Sequence, residues 1–372
     1  MFLQSVSILN YKNIEEANLV FSPQINCFIG NNGMGKTNLL DAIYYLSFCK
    51  SHLHSIDNQN IRHDADFFML NGKYVFAEAD VEADLAATEI SCGLKRRQRK
   101  QFRCNKKEYD KLSDHIGLLP LVLISPADVA LIAEGSNERR KFVDGVISQY
   151  DKPYLNKLLA YNNALSQRNS LLKAEIMDNS LLEILEMQMA DNGNYIFEKR
   201  NFFLENFAPV FQEFYNKISA ETEQVTLKYQ SQYNSTDNIL EKMRTARERD
   251  KILGFSTVGI HKDDLEFLLN SFPIKTFGSQ GQCKTFVIAL KLAQFAFLIQ
   301  TNGFAPLLLL DDIFDKLDGK RVERIVEIVS EKMFGQIFIT DTNRKHLDEI
   351  LRKKTDNFQI FYVEHGVAAA EA

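Results

Sequence analysis

The chain has 372 residues, of which 45% are apolar and 25% are charged, and its formal net charge is −5. This length allows roughly two or three domains, or one domain with a large insertion. The negative charge excludes a uniformly basic nucleic-acid binder, so any such surface must be local. The 5 cysteines are scattered without a C-x-x-C pair, which argues against a zinc site or a disulfide framework and favours a reducing compartment. No stretch approaches ~18 uninterrupted apolar residues and no signal peptide is evident, so we expect a cytoplasmic protein without a membrane segment.

The N-terminal region predicts strands at 2–10 and 18–29. Tyr11, Lys12 and Asn13 lie between them. Considered alone, these residues favour a polar hairpin turn over a contact with a phosphate or an adenine.

Residues 30–37, GNNGMGKT, fit the P-loop pattern G-x-x-x-x-G-K-[ST]. The pattern follows a short apolar run, Ile25–Ile29, and precedes residues 38–48, whose apolar positions have helical spacing. In such a loop Lys36 reaches the β- and γ-phosphates of ATP, and the Thr37 hydroxyl ligates Mg²⁺. The residues predicted to bind the nucleotide here are Gly30, Asn31, Asn32, Gly33, Met34, Gly35, Lys36, Thr37 and Asn38.

Strands are predicted next at 67–82 and 88–94. They precede residues 95–107, KRRQRKQFRCNKK, the densest basic run of the chain, which contains no acidic residue. One interpretation is a solvated hairpin tip. The other is a footprint on a nucleic-acid phosphate backbone, because a dense basic patch on an acidic protein gives affinity without sequence preference.

Residues 118–125 predict an apolar strand, after which the character of the chain changes. Residues 153–209 contain little glycine and have apolar residues at helical spacing, which predicts two or three long helices with a break near Asp178 and Asn179. We expect the phenylalanines of this region to pack in a core: Phe197, Phe202, Phe203, Phe207, Phe211 and Phe214. A strand at 224–233 and a helix at 235–249 are expected to follow.

The C-terminal third predicts buried strands at 306–312, 336–340 and 358–363. The first of them ends in Asp311 and Asp312, at the edge of an open α/β sheet where active residues lie. Asp311 is placed to hold the water shell of the Mg²⁺, and Asp312 to polarise a water for attack on the γ-phosphate. Upstream, the loop Ser279-Gln280-Gly281-Gln282 precedes a helix that we predict to begin at Lys284.

These motifs together resemble the ABC-type ATPases, and within them the RecF family of bacterial recombination and repair proteins. The resemblance covers essentially the whole chain. It rests on NYKN at 10–13, GNNGMGKTNLLDAIYYL at 30–46, SPADVALIAEGSNERRKFVD at 125–144, GIHKDDL at 259–265, FGSQGQCKTFVIALKLA at 277–293 and LLLLDDIFDKLD at 307–318. It implies an α/β fold: an ABC-type P-loop ATPase head, a mixed sheet with flanking helices, formed by 1–134 and 251–372, with an inserted mainly helical arm at 135–250.

The resemblance also implies roles for single residues. Ser279, Gly281 and Gln282 of a signature motif would reach the nucleotide of a second copy, so that ATP joins a homodimer. Asp318 would belong to the interface loop called the D-loop. Lys12 would lie near the nucleotide together with its neighbour Asn13, which reverses the turn interpretation given above.

The family further implies binding to DNA, both single-stranded and gapped duplex, and work with RecO and RecR to place RecA. Three departures accompany the likeness. Asp312 stands where most ABC-type sites carry Glu, and its shorter side chain predicts slow hydrolysis, that of a switch. Ile260 stands where the family commonly has Pro, and Asp341-Thr342 offers no His to sense the γ-phosphate.

Two other functions stay open from the sequence. One is the cytosolic ATPase subunit of a transporter, which the long insertion and the basic run disfavour. The other is a different SMC-like ATPase, although a long-armed SMC-like structural protein is excluded by the short arm and by the missing C-x-x-C hook.

Overall fold

A computed structural model of the chain describes residues 1–76, 87–174, 178–219, 223–233, 238–314, 319–342 and 357–371. The described residues belong to two compact units. The first unit comprises Met1–Asp128, Lys217–Ser219 and Ile288–Ala372, and the second comprises Val129–Asn216 and Ala220–Val287. The second unit thus includes residues on both sides of the expected arm at 135–250, because strands and helices that flank the arm pack with it.

The described strands are β1 (Phe2–Tyr11), β2 (Ile14–Val20), β3 (Ile25–Ile29), β4 (Phe67–Val75), β5 (Ala87–Lys95), β6 (Gln101–Cys104), β7 (Lys107–Glu108), β8 (Leu121–Ile124), β9 (Val225–Gln230), β10 (Asp264–Leu269), β11 (Phe272–Pro273), β12 (Leu307–Asp311), β13 (Ile337–Asp341), β14 (Phe358–Glu364) and β15 (Val367–Ala370). The described helices are α1 (Lys36–Phe48), α2 (Ala130–Ala133), α3 (Ser136–Ile147), α4 (Lys152–Leu172), α5 (Asn179–Ser219), α6 (Ile239–Thr245), α7 (Arg247–Leu253), α8 (Ile274–Phe277), α9 (Gln280–Asn302) and α10 (Gly319–Val329).

A six-stranded sheet with the order β15-β14-β3-β13-β12-β8 forms one layer of the first unit. All neighbours in it are parallel except β15, which pairs antiparallel with β14. Strands β3 and β12 are buried along their whole length, as expected for parallel strands covered on both faces. The register sets Asp311 opposite Thr340, and Asp341 opposite Ile29. The carboxyl ends of β3, β13 and β12 therefore meet at one edge.

A second six-stranded sheet, β2-β1-β4-β5-β6-β7, is antiparallel. Helix α1 contacts β1 and β4 of this sheet and β12 and β13 of the parallel sheet. The core between them includes Tyr11, Tyr45 and Phe68, whose rings meet edge to face at centroid distances of 5.2 to 6.1 Å. Because α1 is covered on both sides, its first residue, Lys36, has a fixed place relative to the edge of the parallel sheet.

The second unit contains the long helix α4, all but the last three residues of α5 and the small antiparallel sheet β11-β10-β9. The break predicted near Asp178 is confirmed, since α5 begins at Asn179 and the Asp178 carboxylate caps the N–H groups of Ser180 and Leu181. Most of the phenylalanines expected in the core are buried: Phe203, Phe207, Phe211 and Phe214. The other two are not: Phe197 is half-buried, and Phe202 has 60% of its surface exposed because it lies on the outer face of α5.

Several predicted boundaries were wrong. The strand expected at 18–29 is two strands, β2 and β3, separated by a turn that contains Pro23 and in which the Ser22 N–H donates to the Asn26 side chain at 2.8 Å. The helix expected at 235–249 is two short helices, α6 and α7. Helix α9 begins at Gln280, one turn before the predicted Lys284.

Among the described helices, α9 has the length and apolar content to cross a membrane, contrary to the expectation that no segment would. However, 72% of its apolar stretch is buried inside the protein, which is the pattern of a core helix. The described cysteines Cys27, Cys49, Cys92, Cys104 and Cys283 are all free thiols.

Candidate nucleotide-binding site

The predicted P-loop connects the end of β3 to the start of α1. Two of its glycines are required by close contacts. A Cβ at Gly30 would lie 2.2 Å from the Val363 carbonyl oxygen, and one at Gly35 would lie 2.8 Å from the Asn13 amide nitrogen. Gly35 also has φ 111°, a conformation that residues with side chains rarely adopt. The loop therefore has the tight, backbone-lined curve that brings N–H groups to an anion at a helix N-terminus.

Lys36 is the first residue of α1 and is almost fully buried. Its ammonium curls back into the loop and donates to the carbonyl oxygens of Gly30 at 2.8 Å and Asn31 at 3.2 Å. A buried positive charge at this end of a helix adds to the positive end of the helix dipole. The loop thus concentrates positive potential where phosphate groups would lie.

Thr37 and Asp311 are 274 residues apart in the chain and are in direct contact. The Thr37 hydroxyl donates to Asp311 Oδ1 at 3.0 Å. The fully buried Thr340 hydroxyl donates to the same oxygen at 2.8 Å. Burial raises the pKa of Asp311, while the hydrogen bonds from Thr340 and Thr37 oppose that rise. The carboxylate is therefore held in place by one hydroxyl from α1 and one from β13.

Asp312 has φ 45°, so the chain turns sharply directly after β12. Its N–H donates to the Thr340 hydroxyl at 2.9 Å, and its carboxylate lies 3.4 Å from that hydroxyl. Because a hydroxyl has one hydrogen, we assign that hydrogen to the shorter contact with Asp311. Thr340 accordingly fixes both acids, through the side chain of Asp311 and the backbone of Asp312. Thr340 was not predicted from the sequence as a site residue. Its position at the carboxyl end of a predicted buried strand could have indicated that it lies at the same sheet edge as the two acids.

The donor set at this edge fits Mg²⁺. A threonine hydroxyl and one carboxylate are hard oxygen ligands, and Mg²⁺ usually binds one or two protein groups while keeping water and substrate phosphate oxygens as its other ligands. Among the described residues, no group of three or more His, Cys, Asp or Glu side chains is placed to hold a metal ion. The site therefore suits an ion that arrives with a nucleotide better than a metal bound by protein alone.

Lys12 and Asn13 form the turn between β1 and β2, as the local pattern predicted. The same turn lies against the P-loop. Asn13 Oδ1 accepts from the Asn38 side chain at 2.7 Å, and Asn13 Nδ2 donates to the Met34 carbonyl at 3.3 Å. The turn interpretation and the placement beside the P-loop are therefore compatible.

The Lys12 ammonium forms an ion pair with Asp41 of α1 at 2.5 Å. The Asp41 carboxylate also accepts hydrogen bonds from the Tyr11 hydroxyl at 2.6 Å and the Ser51 hydroxyl at 2.7 Å. Burial lowers the pKa of Lys12, and Asp41 acts in the opposite direction. This acid was not singled out from the sequence, because a lone Asp inside a helix carries no recognisable pattern.

The predicted signature motif begins α9 in the second unit. The Gln282 N–H donates to the Ser279 hydroxyl at 3.2 Å, and the Ser279 N–H donates to the Gln282 side chain at 2.8 Å. This reciprocal pair is a capping box, which starts the helix at Gln280. The Gln282 amide also donates to Glu223 at 2.7 Å. Ser279 is exposed, so the motif presents its hydroxyl and the helix N-terminus outward.

Asp318, the predicted D-loop residue, lies outside the described residues.

The basic run forms the hairpin between β5 and β6 and the turn after β6. Three of its cations have protein partners. Arg96 donates to the carbonyls of Ala65 and Arg62, and Lys100 pairs with Asp57 at 2.9 Å. Arg103, which is exposed, donates to the Gln101 side chain at 3.0 Å and lies 3.9 Å from the Glu108 carboxylate. The other basic side chains of the run are exposed: Lys95, Arg97, Arg99, Lys106 and Lys107.

The GIHKDDL segment forms a turn that leads into β10 and carries two acids with structural partners. Asp263 is buried and accepts from Arg200 at 2.9 Å and from Ser231 at 2.6 Å. Asp264 pairs with Arg139 at 2.8 Å. These ion pairs join α3, α5 and β10 within the second unit. The sequence alone does not reveal which distant arginine pairs with each of these two acids.

A P-loop whose threonine contacts a carboxylate at the end of a parallel strand, in a chain that also has a serine-capped signature helix, defines an ABC-type P-loop ATPase head. Residues 2–369 match the family model described as the RecF/RecN/SMC N terminal domain. The chain belongs to the RecF family, whose relatives are named DNA replication and repair protein RecF. The family and fold class expected from the sequence are thereby confirmed.

Two relatives illustrate the similarity. The RecF protein of Bacteroides thetaiotaomicron is 58% identical over 368 residues, covering 99% of this chain and 98% of the relative. That of Phocaeicola vulgatus is 57% identical, covering 98% and 97%. A solved structure of the recombination mediator protein RecF with ATP, described as part of the RecFOR pathway, matches with a TM-score of 0.87 at 30% identity, covering 100% of this chain and 98% of that one.

Proposed function

We propose that the chain is an ATP-dependent DNA-binding protein of recombinational repair and replication-fork maintenance. Two copies close over ATP and grip DNA near single-strand gaps, and the dimer works with RecO and RecR to load RecA. Support comes from full-length similarity to proteins named RecF and from the RecF–ATP structure described as part of the RecFOR pathway. As a DNA-repair protein it would act in the cytoplasm.

The contact between Thr37 and Asp311 carries the ATPase part of the proposal. It joins the P-loop helix to the acidic end of β12, so that the groups we propose to bind phosphate and Mg²⁺ lie at one sheet edge. A glycine turn that matched the P-loop pattern by chance would not be expected to end in a threonine that is hydrogen-bonded to a buried acid. Mg²⁺ bound by these two groups would neutralise charge on the phosphate oxygens.

The chain's own residues define the steps around the phosphates. Backbone N–H groups of the P-loop and the Lys36 ammonium bind and orient the β- and γ-phosphates. Thr340 holds the backbone of Asp312 directly after β12, and in this proposal the Asp312 carboxylate orients a water and accepts its proton. An Asp is one methylene shorter than the Glu common at this position, so it holds that water less well. Hydrolysis should therefore be slow, as in a switch.

The signature motif supports the dimer part of the proposal. Ser279 is exposed, and the α9 N-terminus behind it is a ready anion site. In the proposed dimer these groups, with Gly281 and Gln282, bind the γ-phosphate held by the partner copy. ATP then contributes contacts to both chains and stabilises the dimer by mass action. We propose the same domain division as expected from sequence, a head of 1–134 and 251–372 and an arm of 135–250.

The exposed cations of the 95–107 hairpin are our candidate DNA surface. They extend from a protein of net charge −5, so they concentrate positive charge locally. Phosphate contacts of this type are independent of base sequence and weaken as the salt concentration rises. That behaviour suits a protein that recognises a gap and not a sequence.

The test measures binding to gapped duplex DNA with ATP, with ADP and without nucleotide, using Lys36→Ala as the control. We expect high affinity only for the unaltered protein with ATP, and slow hydrolysis of that ATP. Equal affinity in all conditions would contradict the coupling of nucleotide to DNA. Rapid turnover would contradict the switch.

A further inference from the structure

The tip of the β14–β15 hairpin lies against the P-loop. The Gly366 N–H donates to the Met34 carbonyl at 2.8 Å, and the His365 N–H lies 3.4 Å from the Met34 sulfur. Asn13 Nδ2 donates to the same carbonyl at 3.3 Å. The Met34 carbonyl thus accepts two hydrogen bonds from segments outside the loop, one of them more than three hundred residues away in sequence.

Gly366 permits this close approach. Its φ is 82°, and a Cβ added to it would lie 2.3 Å from the Asn13 carbonyl oxygen. Any side chain there would push the hairpin tip away from Asn13 and from Met34. The β1–β2 turn, the P-loop and the C-terminal hairpin therefore interlock through their backbones.

The hydrogen bonds at Met34 have a consequence for the next residue. The peptide unit between Met34 and Gly35 is planar and trans, so its carbonyl and its N–H point in opposite directions. Fixing the carbonyl on the side of the hairpin fixes the Gly35 N–H on the other side. An N–H that is oriented in advance binds a phosphate oxygen without a cost of reorganisation.

We propose that the β14–β15 hairpin tip is a positioning element for nucleotide binding: by holding the Met34 carbonyl, Gly366 orients the Gly35 N–H to donate to the diphosphate of a bound nucleotide. Gly366 and His365 act through Met34 and do not touch the phosphates. The inference rests on the proposed function, because it assumes that the loop binds a nucleotide. Phosphate affinity then depends on the β14–β15 hairpin, which lies more than three hundred residues after the P-loop in sequence.

The test compares Gly366→Ala with Gly303→Ala. Gly303 is a matched control, because its φ of 77° imposes the same backbone strain on alanine, while a Cβ there meets nothing within 4 Å. Affinities are measured for ADP and for inorganic pyrophosphate, which lacks the base and the ribose. We expect Gly366→Ala to weaken both by about tenfold, the effect of losing roughly one hydrogen bond. Gly303→Ala should lower the melting temperature and leave both affinities unchanged. Equal affinities in the two variants would overturn the proposal.

A measurement on the unaltered protein covers the case in which Gly366→Ala fails to fold. Coupling between two sites is reciprocal, so a bound phosphate must stabilise the hairpin contact as much as the contact favours phosphate. Pyrophosphate should therefore slow hydrogen exchange at the Gly366 amide. Unchanged exchange at saturating pyrophosphate would overturn the positioning role and leave nucleotide binding intact. An unaltered protein that binds neither ADP nor pyrophosphate would overturn the proposed function itself.

Discussion

Replacement of Thr340 by Val tests whether one buried hydroxyl organises both acids of the site. Valine keeps the shape of threonine and removes the oxygen. The variant loses a hydrogen bond of 2.8 Å to the Asp311 carboxylate and one of 2.9 Å from the Asp312 N–H. A hydrogen bond to a charged group contributes roughly 1.5–3 kcal/mol, so we expect the free energy of unfolding to fall by about 2 kcal/mol. For a unit of about 200 residues this lowers the melting temperature by roughly 4–8 °C.

The loss of folding free energy in Thr340→Val should also depend on pH. Burial raises the pKa of Asp311 above its usual value of 3.8, and the Thr340 hydrogen bond opposes the rise. A carboxyl whose pKa is higher in the folded than in the unfolded protein destabilises the fold when it is ionised, and this cost disappears as the pH falls through the raised pKa. Without Thr340 the pKa rises further, so the variant's deficit should be larger at pH 7 than near pH 4.

Thermal melts at both pH values, with Thr340→Ser as the control, check the prediction. Serine keeps the hydroxyl and loses one methyl group, which costs about 1 kcal/mol at any pH. ATP turnover should fall about tenfold in the valine variant and much less in the serine variant. Equal deficits in the two variants, or a valine deficit independent of pH, would refute the assigned role of Thr340.

Three further predictions follow from the site. Lys36→Ala should abolish ATP binding and ATP-dependent dimerisation, as measured by nucleotide titration and sedimentation; a variant that still dimerises with ATP would contradict the P-loop assignment. Ser279→Arg should leave ATP binding by the single chain intact and block dimerisation, whereas a collapse of single-chain affinity would show that the motif acts within its own chain. Replacing Arg97, Arg99 and Lys106 by asparagine should weaken DNA binding and reduce the slope of log affinity against log salt by roughly 2–3, about 0.9 for each DNA phosphate that the variant no longer neutralises; an unchanged slope would place the DNA surface elsewhere.

The chemical core of the site could be predicted because its signals are local. The P-loop glycines, Lys36 and Thr37 are close together in sequence. A continuous apolar run that ends in Asp311 predicts a buried strand with this acid at its carboxyl end. The resemblance to the RecF family, which rests on the order of these motifs along the chain, then indicated that the P-loop and Asp311 belong to one site. Neither segment alone shows whether Thr37 reaches Asp311, since this contact depends on the register of β12 against β13 and of β13 against β3.

The errors had physical causes that differ in kind. The start of α9 was misplaced because Gly281 suggests a loop, although Ser279 and Gln282 form a capping box that starts the helix earlier. The strand expected at 18–29 included Pro23, which lies in the turn between β2 and β3. The capping-box residues and the proline are therefore both visible in the sequence.

Other features carried no local signal. The contact of Gly366 with Met34 joins segments from opposite ends of the chain. A hairpin turn is by itself a sufficient reason for a glycine at this position. The sequence therefore gives no sign that Gly366 also contacts the P-loop. The ion pair of Lys12 with Asp41 is of the same kind, because which acid a lysine meets depends on how β1 packs on α1.

The central claim is that two chains close over ATP, and the most direct test is the mass of the protein in solution. Sedimentation velocity is run with a non-hydrolysable ATP analogue and gapped duplex DNA, for the unaltered chain and for Ser279→Arg at concentrations that saturate both with nucleotide. We predict a dimer for the unaltered chain and a monomer for the variant. A single unaltered chain under these conditions would contradict the account, even if each chain holds its nucleotide.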